Sequence, residues 1–446
     1  MIVISPVLRY IINMNARAKR SLKVFAVLLL TAAVMGVFCA CTRQTSSEWV
    51  AQIIEENYYL PVTVTDANEL TPQELTAKYL DKYSVYYTAE EYQELLYGEA
   101  GNSVNFGCGF FYYQGRLLIM ECVANSPAWQ QGLRPGDEIV SAVINGETVL
   151  IDGEQAYAKF AQAAQNGGIS SFTAASGVSV EVSAVEAYKT SYVFMATNST
   201  GISFTYNGLT MTENKGDAIP FLPDGTAYLR LTAFEGDAAE QFRFAVRKFN
   251  SLGCDALILD LRCNGGGSTD VTAKIGGCFA AAAGKTLLSA TGRVVDSSLA
   301  CEKFEARDTL PADTEIYVMT NMGTASASEA LIGALISYGA LTYEDVFISS
   351  YTADFTQAFG IDASASGKTY GKGCMQYVIP NERTGEALRL TVALIYWPNG
   401  KCVNDAPLSA ADGCTLLSAP YYTNAANEEL AQLAQIVEQR ELAAAA

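Results

Sequence analysis

The chain has 446 residues, of which 50% are hydrophobic, so it can form two or three domains with a large core. Its formal net charge of −18, with no basic stripe past residue 24, argues against a nucleic-acid partner. The absence of His excludes Ser-His-Asp and Cys-His catalysis and imidazole zinc sites. A nucleophilic hydrolase of this composition would need Lys, a carboxylate or the amino terminus as general base. The sequence predicts no metal and no cofactor.

The first 41 residues predict an export signal. A basic segment at 17–23 precedes an apolar run at 24–37 that is short for a transmembrane helix. Ala40-Cys41 is similar to a bacterial lipobox, in which Cys41 would be lipidated, although Phe38 stands where such boxes prefer Leu. A plain signal anchor is the alternative. On the lipoprotein interpretation the protein is exported and lipid-anchored in the bacterial cell envelope, in the periplasm or at the cell surface.

The cysteines do not predict a disulfide framework. Nine of the 11 Cys follow the export segment, and an odd number cannot pair completely. Most are expected to be small buried hydrophobes. Cys402 and Cys414, in a late loop region, are the first pair to test for a bridge.

Helical periodicity marks the region that follows the export segment. Residues 47–97 carry an apolar face that includes Trp49 and Ile54, and Thr71-Pro72 has the form of a helix start. The sequence therefore predicts a helical N-terminal unit at 42–100.

Strand-like patterns and glycine turns replace the helical pattern at 101–190. Gly107-Cys108-Gly109-Phe110 opens this region, runs at 116–123 and 138–144 flank a Gly-Leu-Arg-Pro-Gly-Asp turn, and 178–187 would close it. The ordered series resembles a PDZ domain of the bacterial protease type. The resemblance implies that the loop formed by Gly107, Cys108, Gly109 and Phe110 binds a chain-terminal carboxylate through its backbone N–H groups, while an adjacent strand edge pairs with the peptide. A plain Gly-rich hairpin is the alternative.

Alternating strands and helices follow from residue 225. The pattern predicts strands at 227–232, 256–261, 316–319 and 388–396, and helices at 237–252 and 428–442. The strand at 256–261 is apolar on both faces and exits into Arg262-Cys263-Asn264-Gly265-Gly266-Gly267, where a ligand could approach the backbone. The charged residues Asp260 and Arg262 at the strand end are expected to hold the loop by hydrogen bonds.

A second turn with small residues, Gly323-Thr324-Ala325-Ser326-Ala327-Ser328-Glu329, follows the strand at 316–319 and precedes a helical pattern. Ser326 on such a turn can be a nucleophile beside an anion site. It can equally be a helix N-cap, because Glu329 follows at the spacing of a capping box. Taken alone, the stretch favours the cap, since caps far outnumber nucleophiles.

Three motifs stand in order: Asp260 to Gly267, Gly323 to Glu329, and Thr369-Tyr370-Gly371-Lys372-Gly373-Cys374-Met375-Gln376. Together with the PDZ-like segment they resemble the C-terminal processing (tail-specific) serine proteases over residues 47–442. The resemblance implies an exported serine endopeptidase that cleaves protein substrates with free C-termini near those ends. It also implies an α+β multidomain fold, with an α/β protease core of the ClpP/crotonase-like kind at 191–446.

The resemblance assigns roles to individual residues. Ser326 would be the nucleophile, Lys372 the general base and Gln376 the residue that orients the Lys. The backbone N–H groups of Ala327 and Gly266 would form the oxyanion hole. A Lys in this role requires a lowered pKa, which an apolar pocket supplies, and the glycines on both sides of Lys372 would let it occupy a crowded place.

Several alternatives stay open at this stage. Lys368 is a rival base without the flanking glycines, and Ser328 is a rival nucleophile. Residues 343–368 are polar and irregular and exceed the expected spacing between Ser326 and Lys372, so they predict a surface insertion or a flap over the site. A catalytically inactive, peptide-binding envelope lipoprotein is the alternative function.

Overall fold

A computed structural model of the chain describes residues 44–99, 102–103, 106–182, 188–419 and 428–444. The predicted export signal with Cys41, and residues 183–187 of the predicted closing strand, lie outside the described residues. Among the helices of the described ranges, none has the length and apolarity needed to span a membrane. Residues 44–56 and 62–81 form one compact unit, and a second contains 57–61 and the described residues from 82 onward.

The first unit is helical. Its elements are α1 (Ser46–Asn57), whose last residue is counted with the second unit, and α2 (Pro72–Tyr79). Thr71 caps α2 as predicted: its N–H donates to the Glu74 carboxylate at 2.8 Å, and the Glu74 N–H donates back to Thr71 Oγ1 at 3.3 Å. This reciprocal pair satisfies N–H groups that the first helical turn would otherwise leave without partners.

The second unit begins with a strand inside the predicted helical region. β1 (Val85–Tyr87) pairs antiparallel with a strand more than 300 positions later, Ala387–Tyr396, and α3 (Ala89–Glu99) follows it. The predicted helical unit at 42–100 therefore contains a strand, β1, that the helical periodicity of 47–97 did not indicate. Its Val-Tyr-Tyr sequence suits a pleated surface, but the distant partner strand supplies the sheet.

The β domain, defined here as residues 106–182, is a sheet covered by one helix. After the short β2 (Asn102–Ser103), its elements are β3 (Cys108–Tyr113), β4 (Arg116–Cys122), α4 (Pro127–Gln130), β5 (Glu138–Ile144), β6 (Glu147–Leu150), α5 (Glu154–Gln165), β7 (Ile169–Ala174) and β8 (Ser179–Glu181). The sheet order is β3-β4-β5-β7-β8, with β6 paired to β5. Phe160 of α5 and Phe172 of β7 lie in its apolar core. The predicted strands at 116–123 and 138–144 are confirmed.

The C-terminal core, defined here as residues 188–444, contributes to two main sheets, and its first strand pairs instead with β2. Its elements are β9 (Tyr188–Lys189), β10 (Val193–Ala196), β11 (Gly201–Tyr206), β12 (Met211–Gly216), β13 (Thr226–Leu231), α6 (Ala238–Leu252), β14 (Ala256–Asp260), α7 (Thr269–Gly276), β15 (Thr286–Thr291), β16 (Asp296–Ala300), β17 (Glu315–Thr320), α8 (Ala327–Ser337), β18 (Val346–Tyr351), α9 (Ala353–Ala358), β19 (Cys374–Pro380), β20 (Ala387–Tyr396), β21 (Thr415–Ala419) and α10 (Glu428–Ala444).

The larger sheet has the order β12-β11-β10-β13-β14-β17-β18-β21, and β13, β14, β17, β18 and β21 run parallel. Every residue of β13 and β14 is buried, as expected for parallel strands covered on both faces. Helix α10 packs Leu430, Leu433 and Val437 into the core cluster on one face. The parallel strands end at a common edge, where α/β folds place their ligand sites.

The smaller sheet has the order β1-β20-β15-β16, and β19 pairs with β20. It matters for function because Lys372 lies two residues before β19 and Gln376 lies within it. The predicted nucleophile thus follows β17 of the larger sheet, whereas the predicted base precedes β19 of the smaller sheet.

The predicted insertion at 343–368 is wrong in its first part. β18 (Val346–Tyr351) is a buried parallel strand between β17 and β21. The two serines of β18 interrupt its apolar sequence pattern, so the strand was not predicted. The hydroxyl of Ser349 is nevertheless buried, because it donates to the Glu429 carboxylate. Only the segment after β18 departs from the core sheet. There α9 packs Phe355 against Phe111 and Tyr113 of β3.

Candidate active site

Ser326 stands at the turn between β17 and α8 in a backbone conformation that few residues other than Gly adopt. Its φ is 57° and its ψ is −113°. Ser326 is the N-cap residue of α8, and the Glu329 carboxylate accepts its backbone N–H as in the predicted capping box. Its dihedrals are nevertheless not the extended ones of an ordinary N-cap. A non-Gly residue held at positive φ costs about 1–3 kcal/mol, and such strain is concentrated at functional sites. The half-buried Ser326 therefore combines the position of a cap with the strained backbone that is typical of a functional residue.

Glu329 holds this turn to the predicted base. Its side chain is completely buried and accepts four hydrogen bonds. Oε2 accepts the backbone N–H of Ser326 at 3.1 Å and that of Lys372 at 2.9 Å. Oε1 accepts the Gly371 N–H at 2.9 Å and the Thr369 hydroxyl at 2.7 Å. One oxygen atom thus joins the backbones of Ser326 and Lys372.

The electrostatics of Glu329 are a balance of two effects. Burial raises its pKa above the ordinary value, because a charged carboxylate loses solvation. The hydrogen bonds from Thr369, Lys372, Gly371 and Ser326 lower it, because they stabilise the charged form. The net shift is upward. Burial of Glu329 therefore costs solvation free energy, which hydrogen bonds offset in part, and most of these come from backbone N–H groups.

The Lys372 side chain is oriented by Gln376. Lys372 Nζ donates to Gln376 Oε1 at 2.8 Å, and Gln376 Nε2 donates to the backbone carbonyl of Tyr83 at 2.5 Å. Lys372 Nζ also lies 5.4 Å from the centre of the Tyr83 ring. Tyr83 therefore provides one wall of the Lys372 pocket and fixes the amide that orients the amine.

The glycines on both sides of Lys372 are required by close packing. A Cβ added to Gly371, which has a φ of +78°, would lie 3.0 Å from the Pro407 backbone N. One added to Gly373 would lie 2.4 Å from the Asn404 backbone N. The expectation that these glycines admit Lys372 to a crowded place is confirmed.

The Gly-rich turn after β14 lies directly against the Ser326 turn. A Cβ on Gly266 would lie 2.8 Å from Ser326 Cβ and 2.9 Å from the Ala327 N. The Asn264 carbonyl accepts the Ala325 N–H at 3.0 Å, and the Asn264 side chain accepts the Gly266 N–H at 2.9 Å. The structure thus places Gly266 beside Ala327, but the Gly266 N–H that the oxyanion hole would use is already bonded to Asn264.

The rival residues occupy other environments. The Ser328 hydroxyl is buried and donates to the Asn264 carbonyl at 3.0 Å, so it joins the two turns. The charge of Lys368 contributes to the lowered pKa of Asp362. Cys402 and Cys414 are both free thiols. Ser326 and Lys372, in contrast to these rivals, are joined through their backbone N–H groups, which both donate to Glu329 Oε2.

A buried charge cluster supports the strand that leads to the Gly-rich turn. Arg262 donates to both oxygens of Asp260, at 3.0 Å and 2.6 Å, and to Glu429 of α10 at 3.1 Å. The Tyr228 hydroxyl and Arg230 also donate to Asp260, at 2.6 Å and 3.3 Å. These bonds join the end of β14 to β13 and α10, and the expectation that Asp260 and Arg262 hold the Gly-rich loop stays a prediction.

The remaining predicted site residues lie in the β domain. Gly107 has a φ of +79°, and a Cβ there would lie 2.1 Å from Ser126 Cβ, so this turn needs Gly. Cys108, Gly109 and Phe110 begin β3, which within the described residues pairs only with β4 and leaves its other edge open. Phe110 packs in the domain core against Phe160 at 5.1 Å between ring centres.

Sequence reasoning missed three residues that hold the site together. Glu329 was visible only as half of a capping box, and Asn264 only as part of a motif. Tyr83 carried no signal, because its link to Gln376 spans 293 positions. No group of three or more Cys, Asp and Glu side chains suited to a metal ion occurs in the described ranges.

The chain is similar in sequence and in fold to known proteins. Residues 225–343, which contain the Gly-rich turn and Ser326, match the model of Peptidase family S41. The chain is 26% identical over 345 residues to "Carboxyl-terminal-processing peptidase 3, chloroplastic" of Arabidopsis thaliana, covering 75% of this chain and 58% of that protein. It is 22% identical over 360 residues to a "Probable CtpA-like serine protease" of Staphylococcus aureus, covering 80% and 62% respectively. The chain thus spans about three fifths of the length of these curated relatives.

A solved structure shows a shared fold. An S41-assigned protein of Bacteroides fragilis superposes with a TM-score of 0.55 at 16% identity, covering 88% of this chain and 97% of that one. The family model and the curated relatives together relate the chain to the C-terminal processing peptidases of family S41, and its fold is mixed α/β.

Proposed function

We propose that the protein is a serine endopeptidase in which Ser326 is the nucleophile and Lys372 the general base. The observation that carries the proposal is the Glu329 carboxylate, one oxygen of which accepts the backbone N–H of both residues. A catalytic pair requires its two members at fixed positions, and the shared acceptor holds the two backbones at a fixed separation. The S41 family match supports the same activity.

The proposed chemistry is acyl transfer. Lys372 Nζ accepts the hydroxyl proton as Ser326 Oγ attacks the scissile carbonyl, and it returns the proton to the leaving amine. The Ala327 N–H and one N–H of the Gly-rich turn stabilise the tetrahedral oxyanion, typically by about 3 kcal/mol per donor. If that second donor is the Gly266 N–H, it must leave the Asn264 side chain when substrate binds. Water then hydrolyses the acyl-enzyme.

The substrate is proposed to be a protein or peptide with a free C-terminus. The β domain supports this, because its open β3 edge and its Gly107 turn resemble the ligand side of a PDZ domain. The N-terminal residues support export with a lipid anchor at Cys41, which would place the enzyme at a membrane of the cell envelope.

The test compares Ser326→Ala with Ser328→Ala on an unfolded protein substrate. Ser326→Ala should abolish cleavage, and Ser328→Ala should retain it with some loss of stability, since Ser328 only joins two turns. A slow acylating serine probe should label the wild type and the Ser328→Ala variant but not Ser326→Ala. Cleavage by Ser326→Ala, or a wild type that binds C-terminal peptides without cleavage or labelling, would favour the inactive peptide-binding alternative.

A further inference from the structure

Two cysteines of the β domain lie directly opposite each other on adjacent antiparallel strands. Cys108 begins β3, Cys122 ends β4, and the register pairs them with each other. Both are free thiols and both belong to the apolar cluster of the domain, Cys122 buried and Cys108 half-buried. Because directly opposed residues point to the same face of a sheet, their side chains are neighbours.

The hydrogen-bond pattern identifies which kind of pair this is. The Val123 N–H donates to the Gly107 carbonyl at 2.8 Å, so Gly107 and Val123 form a hydrogen-bonded pair. Such pairs alternate along an antiparallel ladder, and the next pair, Cys108 with Cys122, is therefore of the non-hydrogen-bonded kind. Cα atoms in those pairs are about 4.5 Å apart, which lies within the range of about 4.4–6.8 Å that disulfides span.

The local backbone can adjust to the geometry of a disulfide. Glycines flank Cys108 on both sides, and the ladder has a register shift immediately after Gly109. Gly107 is held by close packing against Ser126, whereas a Cβ added to Gly109 would meet nothing nearer than 3.7 Å, so the Cys108 Cβ can move on the Gly109 side. Cys122 donates a weak hydrogen bond to the Leu133 carbonyl at 3.3 Å, which is the contact it would give up.

We propose that Cys108 and Cys122 form a disulfide that ties the loop at 107–110 and the open edge strand β3 to β4. The oxidant is a small disulfide such as oxidised glutathione. One cysteine thiolate attacks the glutathione disulfide and releases one glutathione thiol, and the second cysteine then attacks the mixed disulfide and releases the other. Two protein thiols are oxidised and one glutathione disulfide is reduced to two thiols. The predicted export would place the pair where disulfides persist.

The ionisation of the thiols determines when the bond forms. Burial raises the pKa of Cys122 to about 12. Burial, together with the neighbouring Cys122, raises the pKa of Cys108 as well. Because the thiolate is the reacting form, oxidation of the folded domain is slow, and the bond is expected to close while the domain folds. The test must therefore let the chain fold in the presence of the oxidant.

The test refolds the reduced full chain in a glutathione redox buffer, alkylates the remaining thiols and digests the protein with trypsin. Cleavage after Lys82, Arg116 and Lys159 leaves Cys108 in 83–116 and Cys122 in 117–159, each as the sole Cys of its peptide. The expected result is a linked peptide lighter by two hydrogen atoms than the sum of the two. Alkylation of both cysteines, or linkage of Cys108 to another cysteine, would overturn the proposal.

Matched variants control for misfolding. Cys402→Ser combined with Cys414→Ser should leave the linked peptide intact, while Cys122→Ser should remove it and leave Cys108 alkylated. The melting temperature should fall by a few degrees when reductant is added to the oxidised wild type, and it should not respond in Cys122→Ser. The oxidised wild type could give the linked peptide and yet show no change in melting temperature when reductant is added. That result would contradict the proposal that the disulfide ties β3 to β4. None of these readouts depends on protease activity.

Discussion

The core site and the β3 edge of the β domain differ in how tightly their residues are held in place. In the core, a buried carboxylate, a Ser at positive φ and glycines packed against backbone atoms hold Ser326 and Lys372 to one geometry. In the β domain, a strand edge stays open within the described residues, and the aromatic stack of Tyr112 on Tyr157 lies beside it. One region fixes positions, and the other leaves a surface that side chains can rearrange.

The energies behind the two regions differ accordingly. Removing a partner from a buried hydrogen-bonded charge costs several kcal/mol, so the core has few alternative arrangements of similar energy. An aromatic pair contributes only about 0.5–1.5 kcal/mol beyond its buried area, so it can open when a ligand competes. This difference suits the proposed function, in which one chemical step would be repeated on many different peptide tails.

The largest effect is expected from Lys372→Ala. Loss of the proposed base should reduce kcat for an unfolded protein substrate by about 10²–10⁴-fold, the range typical of general acid–base catalysis. Lys368→Ala is the matched control and should keep activity near the wild-type value. Equal losses in both variants, or none in Lys372→Ala, would contradict the assignment of the base.

Asp260→Asn tests how far the core depends on its buried charges. The change leaves the buried Arg262 and Arg230 with less compensation, so unfolding in urea should lose about 3–5 kcal/mol. The control is Glu213→Gln, which breaks an exposed pair with Lys248 and should cost less than about 1 kcal/mol. A loss below that of the control would show that the cluster contributes little.

The same cluster predicts how stability depends on pH. Burial alone would raise the pKa of Asp260, but the charges of Arg262 and Arg230, with hydrogen bonds from Arg262 and Tyr228, lower it below its ordinary 3.8. A depressed folded-state pKa stabilises the fold above the unfolded pKa, and that contribution is lost as pH falls through the folded value. The wild type should therefore lose stability below pH 3.8. Asp260→Asn should lose less over the same acid range when both are titrated by circular dichroism.

Glu329→Gln should have an intermediate effect on activity. The amide keeps the size of the side chain but replaces one acceptor oxygen by a donor that faces backbone N–H groups. The expected cost is about 1–3 kcal/mol, seen as a loss of roughly 5–150-fold in kcat. Acylation of Ser326 by the serine probe should slow in parallel. A variant that loses stability but acylates at the wild-type rate would show that Glu329 supports the fold without positioning the pair.

The sequence predicted the parts of the fold whose signal is local. The half-buried strand β5, the buried strand β14 and the helix α6 follow from periodicity, and the glycines on both sides of Lys372 follow from the crowding expected around the base. The strands β1 and β18 were missed, because β1 pairs with a remote strand and the hydroxyl of Ser349 in β18 bonds to Glu429.

The role of Glu329 could not be read from the sequence for the same reason. Three residues after Ser326 it looks like a helix cap, and its partners Thr369, Gly371 and Lys372 come 40 or more positions later. Nor does spacing reveal that the Gly266 N–H is bonded to Asn264. A motif indicates which residues lie close together. Whether a given backbone N–H is free or already hydrogen-bonded depends on the packing around it.

The smallest effect is expected at the β domain, where Tyr112→Ala removes the stack on Tyr157. The two rings are 4.5 Å apart and nearly parallel, between β3 and α5. In the proposed binding mode a peptide adds to the open β3 edge and lies along this contact. Opening the stack should therefore lower KM for a C-terminal peptide substrate by about 2–10-fold, the equivalent of 0.5–1.5 kcal/mol, with kcat unchanged. Leu150→Ala, at a side chain 64% exposed in the same domain, is the control and should change neither constant. A rise in KM would mean that the tyrosines form part of the peptide site instead of closing it, and a fall in kcat would mean that the two regions are not separable.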